Sequence, residues 1–285
     1  MSTVEQSEGW DAWIGRTERI EDELAPAQAR AAAATLDVEG SSFDVGADLP
    51  PLWQWFYFLK TAPQRRLGAD GHPERGGFMP PVPLPRRMFA GARLRFHRPL
   101  RLGRTATRDG EIRDVTQKVG RSGSLAFVTV GYTYRQEGAV CLDEEQDIVY
   151  REPGAAVPAP APAPWTPLAP GEWGREVRPD PRLLFRFSAL TFNAHRIHYD
   201  RPYAMQEEGY PGLVVHGPLT AVLLADLVRR EAGRELVSFR FRGKAPLFDL
   251  APFRLVGRPN GDAVELRAEG PDGTVALAAS AELAT

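Results

Sequence analysis

A proline-rich segment near the middle of the chain is the feature that most constrains its fold. Residues 153–170 read PGAAVPAPAPAPWTPLAP, with proline at seven of the eighteen positions. Proline has no amide hydrogen for a helix or a sheet, and alternating Ala-Pro favours an extended polyproline II backbone. The segment therefore predicts a semi-rigid linker over residues 153–175, between one domain at 1–152 and another at 176–285.

Composition excludes several classes of function. The chain has 285 residues, with 35 Lys+Arg against 37 Asp+Glu, and a nucleic-acid-binding protein would need a basic surplus. The single cysteine, Cys141, excludes an intrachain disulfide and most zinc or iron–sulfur sites, and it fits a reducing compartment. We find no secretory signal and no apolar run of about eighteen residues. The sequence thus predicts a cytoplasmic protein that acts on a small molecule away from membranes.

Both halves carry an α+β pattern. The first half predicts a helix at 21–35, core aromatic residues at 52–59 and a glycine- and proline-rich loop at 68–85. The second half predicts one amphipathic helix, from Pro218 to about residue 232. Expected strands are 93–97, 110–119, 125–134 and 147–150, then 183–187, 236–242, 253–258, 263–269 and 274–283. Tight turns are expected at 120–123, 260–261 and 272–273.

Three of the five histidines, His195, His198 and His216, lie within a short stretch of the second half. A neutral imidazole near pH 7 can take and return a proton, which makes a placed histidine a candidate general base. Asn193 could hold a water or a carbonyl group through its amide. Asp200 would share a face with His198 on extended backbone and could bond to it. This cluster predicts a proton-transfer site.

The helix start at His216-Gly217-Pro218 adds an electrostatic element to that site. Proline in the first turn leaves free backbone amides at the positive end of the helix dipole. Such amides can stabilise an anion or a developing oxyanion. We therefore predict that the amides at His216 and Gly217 form an oxyanion hole.

Other interpretations of the cluster remain. Loop histidines are often structural, and a His/His/Asp metal site is an alternative because His195 and His198 are three residues apart. Against zinc, the sequence has no HExxH motif and its only cysteine is far away. A serine nucleophile would need a GxSxG elbow, which is absent. We predict a site without metal.

The residues of this cluster resemble the signature of MaoC-like, or hydratase-2, hot-dog enzymes, Asp-x-Asn-Pro-(Ile/Leu)-His-x-Asp-x-x-x-Ala. The matching positions run from Asn193 to Asp200 and include Ala204, and Val214-Val215-His216-Gly217 resembles the helix start that follows. The sequence from Thr191 to Asp200 is similar to that of a branch that includes mesaconyl-C4-CoA and itaconyl-CoA hydratases and hydroxyacyl-thioester dehydratase type 2. The first half resembles the degenerate N-terminal hot-dog domain of that branch.

The resemblance implies a double hot-dog fold, with two curved antiparallel sheets each wrapped around a central helix. It also implies reversible hydration of a 2-enoyl-CoA thioester, without a cofactor, by a chain that could form a homodimer. His198 would deprotonate the water, Asn193 would orient it, and the His216 and Gly217 amides would hold the thioester enolate. Asp200 and His195 would support these groups.

Two departures from the family signature affect the expected chemistry. Asn193 stands where the family has aspartate, and a carboxamide cannot act as a base. His195 and Arg196 replace asparagine and proline, and Arg196 with Arg87 is predicted to bind a second carboxylate on a short acyl group. The alternatives are an acyl-CoA thioesterase and a non-catalytic acyl-CoA-binding module.

Overall fold

The computed structural model describes residues 10–39, 42–120 and 123–285, and ten strands form within them. The strands are β1 (Thr17–Asp22), β2 (Arg86–Phe96), β3 (Ala106–Gly120), β4 (Gly123–Gln136), β5 (Ala139–Arg151), β6 (Trp173–Val177), β7 (Leu236–Gly243), β8 (Phe253–Asn260), β9 (Ala263–Glu269) and β10 (Val275–Leu283). They lie in the order β1-β3-β4-β5-β2-β7-β10-β9-β8-β6. All neighbouring strands are antiparallel.

The two predicted sheets are joined edge to edge by the pairing of β2 with β7. The register runs from Gly91 opposite Arg242 to Arg95 opposite Ser238. Gly91 permits this close approach, because a Cβ atom there would lie 2.3 Å from the carbonyl oxygen of Phe241. Each half thereby covers an edge strand that would otherwise be free to aggregate.

The predicted second-half helix is α4 (Gly217–Ala232), with Pro218 in its first turn and Gly233 in the left-handed conformation at its end. Every residue from Leu219 to Val228 is buried. The helix packs against β6 to β10 and also against β2 of the first half. Its first turn therefore lies where the two halves meet.

The first-half helix is α1 (Pro26–Leu36), shorter than predicted because β1 occupies Thr17–Asp22. Its alanine-rich face packs against α2 (Pro181–Leu190) and a 3₁₀ turn at Trp53–Phe56. The aromatic block is core, as predicted, with these side chains buried: Trp53, Phe56, Tyr57 and Phe58.

The strand predicted at 183–187 is wrong, because these residues lie within α2. Asp180 caps this helix by accepting a hydrogen bond from the Leu183 amide at 3.0 Å, and Pro181 begins it. Leu184, Phe187 and Leu190 then form its buried face at helical spacing. Five residues of alternating polarity were too few to separate a strand from a helix.

The proline-rich segment has no helix or strand over residues 152–169, and it lies along the surface of the second half. The amides of Val157 and Ala163 donate to the carbonyl oxygens of Gly209 and Pro271 at 2.9 and 2.8 Å. Strand β6 begins at Trp173, inside the predicted linker. The division at 1–152, 153–175 and 176–285 stays a prediction.

Two of the three predicted turns lie wholly within the described residues. Gly261 and Gly273 both have positive φ in the β8–β9 and β9–β10 hairpins, as the turn pairs indicated. The turn at 120–123 includes residues 121 and 122, which lie outside the described part of the chain. Among the described residues, no helix is long and apolar enough to cross a membrane.

Candidate active site

The segment between α2 and α3 (Arg201–Gln206) carries most of the predicted site residues. The Asn193 side-chain oxygen accepts a hydrogen bond from the His195 amide at 3.0 Å, which closes a tight local turn. A 3₁₀ turn at Arg196–His198 follows, so the extended backbone that we expected at His198 is wrong. This turn brings His195 and His198 to the buried side of the segment.

His198 is held as a neutral imidazole. Its Nδ1 lies 2.7 Å from the carbonyl oxygen of Val214, and since a carbonyl only accepts, Nδ1 carries the hydrogen and Nε2 keeps a lone pair. Burial lowers the pKa of His198 to about 4, although the bond to Val214 acts in the opposite direction. The ring stacks on His216, with 3.6 Å between ring centroids.

His216 is fully enclosed at the start of α4. Its Nε2 lies 2.9 Å from the hydroxyl oxygen of Ser188, while its Nδ1 has no hydrogen-bond partner among the described residues. Burial lowers the pKa of this ring well below its usual value. His216 therefore backs the ring of His198, and the first amides of α4 follow it directly.

The structure adds two residues that the sequence analysis did not place in the site, Asp70 and His72. Both come from the glycine- and proline-rich loop of the first half, and the His72 ring lies 4.1 Å from the His195 ring. His72 Nδ1 lies 3.0 Å from a carboxylate oxygen of Asp70. The Asp-x-His pair in this loop could have indicated a site, but no local pattern in the sequence showed which part of the second half it would contact.

Burial sets the charge of these groups. It is the main cause that lowers the pKa of His195 to about 2, with smaller contributions from the neighbouring His72 and His198. Burial also lowers the pKa of His72, against the effect of Asp70. Burial opposes ionisation of Asp70 too, yet the bonds from His72 and the nearby imidazoles together hold its pKa near 2. At neutral pH the cluster is one carboxylate among uncharged imidazoles.

The bond predicted between Asp200 and His198 is wrong, and Arg196 has protein partners that the sequence did not indicate. The Asp200 carboxylate binds the Arg196 guanidinium at 2.8 Å and accepts from the Tyr203 amide at 3.2 Å, as the N-cap of α3, whereas Val214 is the partner of His198. Arg196 also donates to the Ala69 carbonyl at 3.0 Å, so its guanidinium is already committed to the protein. Arg196 therefore fastens the two halves together, and its binding of a substrate stays a prediction.

Arg87 remains available to a ligand. It lies opposite Tyr150 in the β2–β5 register, on the same face as that buried ring, and it is only half-buried. Among the described residues, the Arg87 guanidinium has no hydrogen bond or ion pair, whereas the neighbouring Arg86 binds Glu208. It is close enough to lower the pKa of His195, a smaller effect than burial.

Asp70, His72 and His195 have the residue types of a metal site, and their donor atoms lie within 4.8 Å of one another. Both carboxylate oxygens of Asp70 are however engaged by His72, one by the ring nitrogen and one by the backbone amide. A cation would have to break these bonds to use the carboxylate. The geometry fits an oriented Asp–His pair better than a set of metal ligands.

Comparison with known proteins supplies the family. The family model of hydroxyacyl-thioester dehydratase type 2 matches residues 52–249. The chain belongs to this family. It is 65% identical to a mesaconyl-C(4)-CoA hydratase of Chloroflexus aurantiacus, over 97% of this chain and 99% of that protein. It is 27% identical to a mitochondrial hydroxyacyl-thioester dehydratase type 2 of Schizosaccharomyces pombe, over 73% of this chain and 77% of that protein.

Solved structures confirm the fold. A MaoC-like dehydratase superposes with a TM-score of 0.72 at 15% identity, over 96% of this chain and 99% of that one. A Mycobacterium tuberculosis protein described as having a double hotdog fold gives a TM-score of 0.57 at 15% identity, over 95% of this chain and 96% of that one. The double hot-dog fold, the hydroxyacyl-thioester dehydratase type 2 family and the enzyme class, a hydro-lyase acting on enoyl or hydroxyacyl thioesters, are all confirmed.

Proposed function

We propose that this hydro-lyase hydrates a short dicarboxylic 2-enoyl-CoA of the mesaconyl-C4-CoA type, reversibly. The observation that carries the proposal is the neutral His198 ring, held with a free Nε2 lone pair beside the first turn of α4. Hydration needs a group that accepts a hydrogen bond from the attacking water and a hydrogen-bond donor to the enolate oxygen of the thioester. The similarity to the mesaconyl-C(4)-CoA hydratase supports the acyl group and the CoA carrier.

The residues of the second half divide these tasks. His198 Nε2 accepts a hydrogen bond from the water that adds to Cβ, and Asn193 orients the same water. The enolate oxygen meets the amides at His216 and Gly217, where the helix dipole places partial positive charge. The thioester itself polarises the double bond, so this scheme uses protein groups alone.

Arg87 supplies the group that selects a dicarboxylic substrate. A guanidinium without a protein partner can bind a carboxylate through two parallel hydrogen bonds. Its position near His195 supports a role at the reacting end of the acyl chain, where the second carboxylate of a C4 unit would lie. Arg196 does not share in binding this carboxylate, because its guanidinium already binds Asp200 and Ala69.

The substitution Arg87→Ala tests this selectivity. It should raise KM for mesaconyl-C4-CoA by about 30- to 150-fold, equivalent to about 2–3 kcal/mol, and spare crotonyl-CoA, which has no second carboxylate. Arg196→Ala is the matched control and should weaken both substrates together. Equal losses on both thioesters with Arg87→Ala would remove the dicarboxylic substrate from the proposal.

Product analysis tests the reaction itself. The purified protein should remove the absorbance of the conjugated thioester of mesaconyl-C4-CoA without releasing free thiol. Release of CoA would instead make the protein a thioesterase, and no change in absorbance would favour a non-catalytic binding module. The homodimer stays a prediction that sedimentation analysis would check.

A further inference from the structure

The loop of the first half is fixed to the catalytic segment by its backbone. The Arg196 amide donates to the Asp70 carbonyl at 2.9 Å, and the Arg196 guanidinium donates to the Ala69 carbonyl. Gly71 lies so close to the segment that an added Cβ atom would stand 1.8 Å from the Ala194 carbonyl oxygen. The positions of Asp70 and His72 are therefore set by contact with the same turn that carries His195 and His198.

Asp70 and His72 form an oriented pair. One carboxylate oxygen lies 3.0 Å from His72 Nδ1 and the other accepts from the His72 amide at 3.0 Å. Because the carboxylate is ionised, Nδ1 carries the hydrogen and Nε2 keeps its lone pair. Both side chains are about four-fifths buried, at 20% and 22% exposed. The arrangement is that of a base with an anion behind it.

His198 lacks such a partner. Behind its Nδ1 lies the neutral carbonyl of Val214, and its face stacks on His216, so an added proton would find no countercharge there. Asn193, where the family signature has an acid, cannot ionise. A carboxylate behind an imidazole stabilises the imidazolium that forms when the ring takes a proton. Among the described residues that contact the imidazole cluster, Asp70 supplies that carboxylate.

We propose that His72, oriented by Asp70, carries the proton in the hydration reaction, in the role that the family signature assigns to the acid replaced by Asn193. This inference rests on the proposed function. It makes His72 a catalytic residue and Asp70 a positioning residue. It also gives the first half of the chain a part in the chemistry.

The step balances without any further reactant. The water oxygen bonds to Cβ while one of its protons moves to His72 Nε2, and the π electrons of the double bond move to the thioester enolate. The enolate then takes that proton from His72 Nε2 at Cα, which restores the neutral imidazole and the Asp70 carboxylate. His198 Nε2 accepts the other hydrogen of the water throughout and keeps it aligned. Dehydration is the reverse.

The test measures kcat and KM for mesaconyl-C4-CoA in the full-length variants His72→Gln, Asp70→Asn and Glu74→Gln. Loss of a proton-transfer group should lower kcat of His72→Gln by about 10²–10⁴-fold and leave KM little changed. Glu74→Gln is the matched control in the same loop, because this carboxylate pairs with Arg66 at the surface. It should behave as the wild type does.

Asp70→Asn separates a positioning role from a structural one. Without the anion, protonation of His72 becomes less favourable, so the acid limb of the kcat profile should move to lower pH while kcat falls. An unchanged profile with normal kcat would overturn the proposal. This readout also decides the question should His72→Gln fail to fold by circular dichroism.

Other outcomes are equally decisive. A folded His72→Gln variant with more than half of the wild-type kcat would overturn the role of His72 and leave the hydratase standing. Loss of wild-type activity with EDTA and recovery with Zn²⁺ would also overturn it, because the three residues would then hold a cation. A wild-type protein without hydratase activity would overturn the proposed function as well.

Discussion

The two halves of the chain hold their histidines in different ways. In the second half, His198 and His216 face neutral groups, the carbonyl of Val214 and the hydroxyl of Ser188. In the first half, His72 faces the carboxylate of Asp70. The second half therefore offers neutral lone pairs and helix amides, while the first half offers the countercharge that a protonated imidazole needs. The difference teaches that one site can draw residues from both halves. The second half carries the family signature, and the first half resembles a degenerate hot-dog domain.

The largest expected effect is that of His198→Ala, which removes the neutral imidazole that the second half contributes to the site. The water loses the acceptor that aligns it for proton transfer to His72, and since the two histidines act as a unit, kcat for hydration should fall by about as much as in His72→Gln, about 10²–10⁴-fold. The melting temperature should stay close to that of wild type or fall modestly, since the site is beside the core and not its centre. A variant that keeps more than half of the wild-type activity would remove His198 from the site.

A smaller effect should follow from Gly71→Ala, which disturbs the contact between the halves without removing a catalytic group. Gly71 has φ of +89°, and an added Cβ atom would lie 1.8 Å from the Ala194 carbonyl oxygen, so the loop has to move. Displacing His72 by about 1 Å should lower kcat by about 10²-fold.

The matched control for the Gly71 variant is Gly76→Ala in the same loop. Gly76 also has positive φ, at +93°, but the nearest atom to an added Cβ is 3.9 Å away. It therefore introduces comparable backbone strain without the collision. Equal losses of kcat in the two variants would attribute the effect to strain and contradict the role of the contact.

The smallest expected effect concerns stability and pH. Burial lowers the pKa of His195 to about 2 from its ordinary value near 6.5, so below pH 6.5 the unfolded chain binds a proton that the folded chain does not. This group leaves the free energy of unfolding unchanged above about pH 7 and lowers it as the pH falls from 6.5. In urea titrations at pH 7.5 and 5, His195→Gln should therefore lose less stability than wild type. Parallel losses would contradict a neutral buried His195.

Much of the fold could be predicted because its signals are local. Turn pairs at Asn260-Gly261 and Asp272-Gly273, proline in the first turn of α4 and the apolar stripe that follows each act within a few residues. The helix α2 was missed because its cap, Asp180, lies outside the short alternating run that we interpreted as a strand.

The candidate site was predicted only on one side. His195, His198 and His216 are close in sequence, and the structure brings them together as expected. Asp70 and His72 are held beside them by hydrogen bonds from Arg196 to the carbonyl oxygens of Ala69 and Asp70. Arg196 is far from these two residues in the chain, and no local sequence pattern encodes such a contact. The role of Asp200 was wrong for the converse reason, since a local 3₁₀ turn replaced the extended backbone.

A double-mutant cycle on His72→Gln and His198→Ala tests most directly whether the halves form one site. Residues that act as a unit lose activity in a strongly non-additive way. We expect kcat for hydration in the double variant to be about as low as in the more damaged single variant. A double variant whose loss equals the product of the two single losses would contradict the account, because the two histidines would then act independently.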